Sequence, residues 1–272
     1  MQMLRAAPKT VALAGGLRCH VLPVLEDNYS FVVQGRGDAA VAVDVGDGAA
    51  TAAFVEERGL RLSGVLTTHH HWDHVDGTPE LLDRCGRVPV VGPSKRCRAV
   101  DTLVDDGDLV ALDGLDASAL TLSVPFHTSD HVAFLLAGGL FAGDTLFIGG
   151  AGRLFEGTAD QMYTALHLRY LGGLPHETLV FGGHNYAKSN LRFALHLEPD
   201  NAAARAKLDQ VDALDVTLPS TLADERKFNP FLRIHEPSLL DALAERHGIA
   251  DAHQQPPEAI MAIVRSLKDN FR

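Results

Sequence analysis

The stretch Leu62-Ser-Gly-Val-Leu-Thr67 runs directly into Thr68-His-His-His-Trp-Asp-His74. The first part is short and apolar, the pattern of a buried strand. The second part places four histidines and an aspartate in six residues just past the strand end, where a rigid sheet presents chemistry on a loop. A lone histidine is more often a packing or surface residue than a ligand. Crowded imidazoles are different, because they lose hydration and repel one another when protonated unless a cation organises them. His69, His71, Asp73 and His74 form an H-x-H-x-D-H pattern of the nitrogen and oxygen donors that suit Zn²⁺ and other first-row ions.

Upstream, Cys19–Val24, Ser30–Val33 and Val41–Val45 read as valine-rich strands bounded by turns, and Ala49–Arg58 as a helix closed by Gly59. Downstream, Asp76–Arg84 reads as a helix closed by Gly86. Val88–Val91, Asp108–Ala111 and Ala119–Val124 read as strands, and Val132–Leu136 with Leu140–Ala142 as a hairpin joined by Gly138-Gly139. Asp160–Leu171 has a helical pattern and Thr178–Phe181 a strand pattern. From about Asn185 strand signals vanish. Asn190–Leu197 and Ala202–Leu208 are helical, a proline-bearing stretch Leu218–Pro230 follows, and helical patterns continue to the end. Mixed strands and helices with many hairpins predict two sheets covered by helices, followed by a smaller helical region. No repeat of solenoid length is present.

The chain has 272 residues, with 46% hydrophobic and 22% charged, which suits one or two globular domains and excludes disorder. The longest apolar run, about a dozen residues from Val132, is short of the ~20 needed to span a bilayer. No basic start followed by an apolar core marks a secretory signal. The net charge of −11 makes nucleic acid a poor partner. Cys19, Cys85 and Cys97 are odd in number and lack C-x-x-C spacing, which reads as reduced thiols in a cytoplasmic protein.

One loop cannot complete a metal site. His127 in Val124-Pro-Phe-His-Thr128, Asp144 in Phe141-Ala-Gly-Asp-Thr-Leu146 and His184 in Val180-Phe-Gly-Gly-His184 repeat one grammar, an apolar strand with a ligand-type residue at its tip. Together with the first cluster they make five histidines and two aspartates. That is too many for one tetrahedral ion, and fits two ions with one bridging carboxylate.

These residues resemble the glyoxalase II family of the metallo-β-lactamase-fold superfamily. The resemblance spans nearly the whole chain, through Thr68–His74, His127-Thr-Ser129, Gly143–Phe147, Glu156-Gly-Thr158, Gly183-His184, Asn201-Ala-Ala203, Pro219–Ala223, Asn229-Pro-Phe231 and Lys268-Asp269. It implies an αββα sandwich over 1–184 and an α-helical glutathione-binding domain over 185–272. It implies two divalent metal ions, zinc foremost with iron or manganese as alternatives. His69, His71 and His127 would hold the first ion, Asp73, His74 and His184 the second, and Asp144 would bridge them. His70 and His131 match no ligand position and read as supporting or packing residues.

The implied activity is hydrolysis of the thioester of S-(2-hydroxyacyl)glutathione, chiefly S-D-lactoylglutathione, to D-lactate and glutathione, the second step of methylglyoxal detoxification. Hydroxide at the two-metal centre would attack the carbonyl. Asp73 would orient it or take its proton, and Asp144 would bridge. The resemblance also implies a small-molecule partner, and the chain is expected to be a monomer. Arg265 and Lys268 match the basic pair for the glycine carboxylate of glutathione, Arg153 a basic glutathione contact, and Tyr186 a tyrosine over the substrate. Phe155 stands where the family commonly has Tyr, Asp130 where a glycine is usual, and Asn185 where an acidic residue is common. A persulfide dioxygenase, another hydrolase on the same fold, and a metal-stabilised binding protein are the rival readings. The seven-ligand set and long helical tail disfavour the first, and the acidic charge disfavours a nuclease.

Overall fold

The computed structural model describes residues 4–271. Contacts divide the chain into two units. One comprises the residues up to Ser123, with Asp130–Gly143 and Phe181–Asn185; the other comprises Val124–Ser129, Asp144–Val180 and the residues from Tyr186 onward.

In the first unit, β1 (Lys9–Ala12), β2 (Arg18–Val24), β3 (Asn28–Gln34), β4 (Ala39–Val43), β5 (Arg61–Leu66), β6 (Val90–Gly92) and β7 (Thr102–Leu103) form one sheet in sequence order. The first four strands pair antiparallel, and β4 to β7 pair parallel. The parallel part needs crossovers, supplied after β4 by α1 (Gly48–Glu57) and after β5 by α2 (Trp72–Val75) and α3 (Thr78–Cys85). Strands β3 and β4 are buried almost throughout, which explains their continuous Val and Ala runs. Ala52, Val75 and Leu81 from the helices pack with Val65 and Val90 of the sheet.

The second sheet of this unit contains β8 (Leu109–Leu112), β9 (Ala117–Ser123), β10 (Val132–Leu136) and β11 (Gly139–Gly143), joined as an antiparallel meander. Phe31 of the first sheet meets Phe141 edge-on at 5.4 Å, and Phe141 stacks on Phe181 at 5.0 Å. Burying each such ring contributes roughly 1.5–3 kcal/mol. The β10–β11 turn is Ala137-Gly138, both at positive φ, while Gly139 is already paired with Leu136 inside the strand. The expected Gly138-Gly139 turn is thus shifted by one residue, because a two-residue hairpin turn takes its positive-φ pair from the positions between the paired residues.

The second unit begins with the small hairpin β12 (Leu146–Phe147) and β13 (Gly150–Ala151), then α4 (Ala159–Tyr163). Helix α4 does not continue regularly to Leu171 as its pattern suggests; Thr164–Leu171 winds more widely, as a π-helix. Strand β14 (Leu179–Gly182) starts in this unit, and its Phe181 and Gly182, which belong to the first unit, lie beside β11 in the second sheet. Then come α5 (Ala187–Leu197), α6 (Ala202–Asp212), β15 (Ser220–Thr221), α7 (Leu222–Phe228), α8 (Pro237–His247) and α9 (Pro257–Asn270). The region beyond Asn185 is therefore not wholly free of strand: Ser220 and Thr221 pair with Val180 and Leu179. Two residues are too few to show an alternating pattern, so only the partner strand reveals them.

Several motif residues outside the ligand set prove to be helix caps. Thr158 forms a reciprocal capping box with Gln161, Asn201 accepts from Ala204 N–H at 3.0 Å, and Thr221 accepts from Asp224 N–H at 3.1 Å. Each cap satisfies a helix N–H that would otherwise lack an acceptor.

Candidate metal centre

Strand β5 ends at Leu66, between its parallel neighbours β4 and β6, so residues 67–71 leave the sheet at the carboxyl ends of its strands. Asp44 leaves β4 at the same end, in a left-handed conformation with φ 50°. Its carboxylate is almost wholly buried and would be costly without partners. It has three. Thr68 N–H donates to Oδ1 at 2.8 Å, the Thr68 hydroxyl donates to Oδ2 at 2.7 Å, and His74 Nδ1–H donates to Oδ2 at 3.2 Å. Because the Thr68 hydrogen is committed to Asp44, its oxygen accepts from His69 Nδ1–H at 3.0 Å. The hydrogen-bond network thus places the protons of His69 and His74 on Nδ1, leaving lone pairs on both Nε2 atoms.

His184 follows β14 and is held the same way. Its Nδ1–H donates to Asp27 Oδ1 at 2.8 Å, in the turn between β2 and β3. Its Nε2 lies 3.4 Å from His74 Nε2 and 3.3 Å from Asp73 Oδ2, and Asp73 Oδ2 lies 3.7 Å from His74 Nε2. Asn28 Nδ2 donates to the same Asp73 oxygen at 2.9 Å. Helix α2 reaches this position because Gly46 lies directly under Asp73; a Cβ there would strike the Asp73 carbonyl. Asp73, His74 and His184 therefore turn two imidazole lone pairs and a carboxylate toward one point. With both Nδ1 protons given to other carboxylates, that convergence is repulsive unless a cation fills it, and the donor set suits a first-row divalent ion.

His69, His71 and His131 extend the cluster. The His69 ring meets His71 edge-on at 4.7 Å, lies 4.3 Å from His74 and stacks on His131 at 4.6 Å. Asp44 also lies within ligating distance of His69 and His74, but its oxygens receive three hydrogen bonds, so it orients these rings. His70 meets the His71 ring edge-on at 5.1 Å and bonds on its other side to Asp130 and Arg96.

In the second unit, His127 donates Nδ1–H to the Arg153 carbonyl at 3.1 Å, and its Nε2 lies 3.4 Å from Asp144 Oδ2. A carbonyl only accepts, so this network too leaves the Nε2 lone pair facing a carboxylate. Phe155 meets the His127 ring edge-on at 5.1 Å and is largely exposed. Asp144 and His127 pack on Gly152, where a Cβ would strike the Asp144 carbonyl.

The segment between Asp144 and Arg153 is pinned by the C-terminal helices. Asn190 donates to Ile148 O at 3.1 Å, and Asn229 to Phe147 O at 3.2 Å and Gly150 O at 3.0 Å. Gly149 N–H and Asn229 Nδ2 both donate to Glu225 Oε2 at 2.9 Å. Burial pushes the Glu225 carboxyl up to about 7, against the opposing pull of these hydrogen bonds. Arg265 is also buried, donating to Ala151 O at 2.8 Å and Gly152 O at 3.3 Å and pairing with Asp269 at 2.9 Å. Burial lowers its pKa. Lys268 Nζ lies over the Phe193 and Phe271 rings at 5.4 and 5.5 Å. Burial, then repulsion from Arg265 and Arg153, brings it down to about 8. Arg153 faces Asp269 at 3.7 Å, and Tyr186 meets Phe147 edge-on at 5.3 Å.

The metal-ligand candidates thus fall into a first-unit set, His69, His71, Asp73, His74 and His184, and a second-unit pair, His127 and Asp144. All five substrate candidates lie in the second unit. Asp44, Asp27, Asn28 and Glu225 were not singled out by sequence. Asp44 obeys the same grammar as the candidates, an aspartate at the tip of Val41-Ala-Val43, and that rule applied throughout would have found it.

Comparison with known proteins gives a coherent result. A model of the metallo-beta-lactamase superfamily matches residues 24–184, and a model of the hydroxyacylglutathione hydrolase C-terminus matches residues 185–271. The chain is 43% identical over 259 residues to a hydroxyacylglutathione hydrolase of Chromohalobacter salexigens, covering 92% of this chain and 98% of that one. It is 37% identical over 262 residues to a hydroxyacylglutathione hydrolase of Vibrio cholerae serotype O1, covering 94% and 100%. The crystal structure of ETHE1 from Myxococcus xanthus superposes with a TM-score of 0.61 at 22% identity, covering 97% and 100%, and shares the fold.

Proposed function

The chain belongs to the hydroxyacylglutathione hydrolase family of the metallo-beta-lactamase superfamily and is a hydrolase, and from that membership we propose its substrate, metals and site roles. It cleaves the thioester of S-(2-hydroxyacyl)glutathione, chiefly S-D-lactoylglutathione, releasing D-lactate and glutathione. The observation that carries the reading is the convergence of His74 Nε2, His184 Nε2 and Asp73 Oδ2, with both Nδ1 atoms committed to buried or turn carboxylates. His69, His71 and His127 would hold one divalent ion and Asp73, His74 and His184 a second, with Asp144 placed to serve both. Zinc suits these donors, as do iron and manganese. Such ions supply Lewis acidity and bring the pKa of water down to about 7.

Asp73 orients the attacking water or takes its proton. A thiolate leaves readily, so no general acid is assigned. The region 1–184 carries this chemistry together with Arg153 and Phe155, and the helical region 185–272 supplies the other glutathione contacts, Tyr186, Arg265 and Lys268. Lys268 and Arg265 receive the glycine carboxylate, Arg153 a further anionic group, and Tyr186 and Phe155 cover the substrate. The basic cluster supports this assignment: a partly desolvated ammonium gains more from a carboxylate partner than a solvated one does. Arg265 also acts on the loop it holds, since its guanidinium is committed to Ala151, Gly152 and Asp269.

The protein is proposed to work as a cytoplasmic monomer on a small molecule. All three cysteines are free, and burial raises the thiol pKa of each, which keeps them protonated and unreactive at neutral pH. No helix among the described residues is long and apolar enough to cross a membrane.

The test is hydrolysis of S-D-lactoylglutathione, followed as loss of thioester absorbance, with metal content measured on the same sample. Chelator-sensitive hydrolysis with about two metals per chain is expected. A fully metallated sample that leaves the thioester intact would refute the substrate assignment.

A further inference from the structure

The candidate metal loop is held from behind by a closed circuit of hydrogen bonds. Arg96 Nη2 lies 2.8 Å from His70 Nε2. A guanidinium only donates, so Nε2 accepts and the His70 hydrogen sits on Nδ1. That Nδ1–H donates to Asp130 Oδ1 at 3.2 Å. The Ser94 hydroxyl donates to Asp130 Oδ2 at 2.5 Å, and Arg96 N–H donates back to Ser94 Oγ at 3.2 Å. Every donor and acceptor in the circuit has a determined direction.

The residues beside Asp130 continue the contact in register. His131 stacks on His69 with an interplanar angle of 21°, and Val132 N–H donates to Thr68 O at 2.9 Å. Asp130, His131 and Val132 therefore meet His70, His69 and Thr68 in antiparallel order. His70 is the residue between two ligand candidates, so whatever fixes its ring fixes the main chain that carries both neighbours.

We propose that Asp130, acting through His70, is a positioning residue that preorganises the His69–His71 segment and sets how tightly the loop holds a divalent cation. This rests on the metal reading given above. A residue without a polar side chain at position 130 has nothing to hold His70 Nδ1–H. Without that clamp, part of the ordering of the His69–His71 segment is left to cation binding.

The experiment uses full-length protein stripped of metal and titrated with Zn²⁺ against a chromophoric chelator, with unfolding of the metal-free form measured in parallel. D130A and H70A should each weaken zinc binding about 10- to 100-fold, the range for partners of ligating residues. The double variant should be no weaker than either single one, because both remove one contact. D130N keeps an oxygen for His70 Nδ1–H and an amide for the Ser94 oxygen, and should stay within roughly threefold of wild type. The metal-free midpoint should be the same in all four variants.

D130A within roughly twofold of wild type would overturn the proposal. So would a D130N as weak as D130A, which would make the effect one of charge, or a metal-free midpoint that falls in step with affinity. Wild-type protein that takes up no zinc would remove the metal reading itself, and this inference with it. Uptake by wild type with an unaffected D130A removes only the inference.

Discussion

Replacing Glu225 with Gln should make the protein more stable at neutral pH and leave it unchanged in acid. Glu225 is wholly buried, and burial lifts its carboxyl from an ordinary 4.5 to about 7. Its native value lies above its unfolded value. Between the two, the folded state keeps a proton that the unfolded chain has lost, so raising the pH costs stability. The contribution is fully present below about pH 4.5 and is lost as the pH rises through about 7. At about 1.4 kcal/mol per pH unit, the full penalty is about 3 kcal/mol, of which about 2–3 falls between pH 5 and pH 8.

Gln keeps an oxygen that can accept from Gly149 N–H and Asn229 Nδ2, so the segment after Asp144 should remain pinned. Its amide can donate toward Ser220, which lies beside the carboxyl. The assay is urea unfolding of metal-saturated wild type and Glu225→Gln at matched pH. Subtracting one curve from the other cancels the pH dependence of the histidines, which both proteins share. The difference should grow with pH in favour of the variant. A difference flat across about pH 5 to pH 8 would refute the reasoning, because the carboxyl would then titrate alike in folded and unfolded chains.

Three further outcomes follow from the site. Asp44→Asn should weaken zinc binding about 10- to 100-fold in a chelator competition, because the carboxylate that holds the His74 tautomer is lost; unchanged affinity would remove Asp44 from the site. KM should rise as the pH passes about 8 with kcat steady, because Lys268 loses its charge there. Lys268→Arg should abolish that limb, and a KM already flat in wild type would exclude Lys268 from carboxylate binding. Phe155→Tyr should lower KM by roughly 2- to 10-fold, the worth of one added hydrogen bond of about 0.5–1.5 kcal/mol; no change would place position 155 outside the substrate's reach.

The strands and the loop histidines were legible because their signals are local. Valine-rich runs such as Val41–Val45 bury both faces, and an H-x-H-x-D-H cluster is too dense in donors to be incidental. The hairpin turn at Ala137-Gly138 was displaced by one residue because Gly139 imitates a turn residue while pairing with Leu136. The π-helical turn over Thr164–Leu171 is not legible in sequence because it keeps an apolar pattern close to that of an α-helix. Strand Ser220–Thr221 exists only by virtue of Leu179 and Val180.

The sequence by itself determined the candidate ligand types, their position at strand tips, and the division of the chain into a strand-rich and a helical part. These depend on residue chemistry and short-range periodicity. Which nitrogen His74 and His184 present is another matter. It depends on Asp44 and Asp27, which lie 30 and 157 residues from the imidazoles they orient. The ionisation of Glu225 likewise depends on the burial that packing imposes and on bonds from Gly149 and Asn229. Tautomers and pKa values respond to partners and dielectric within a few ångströms, and only the tertiary structure decides which residues those are.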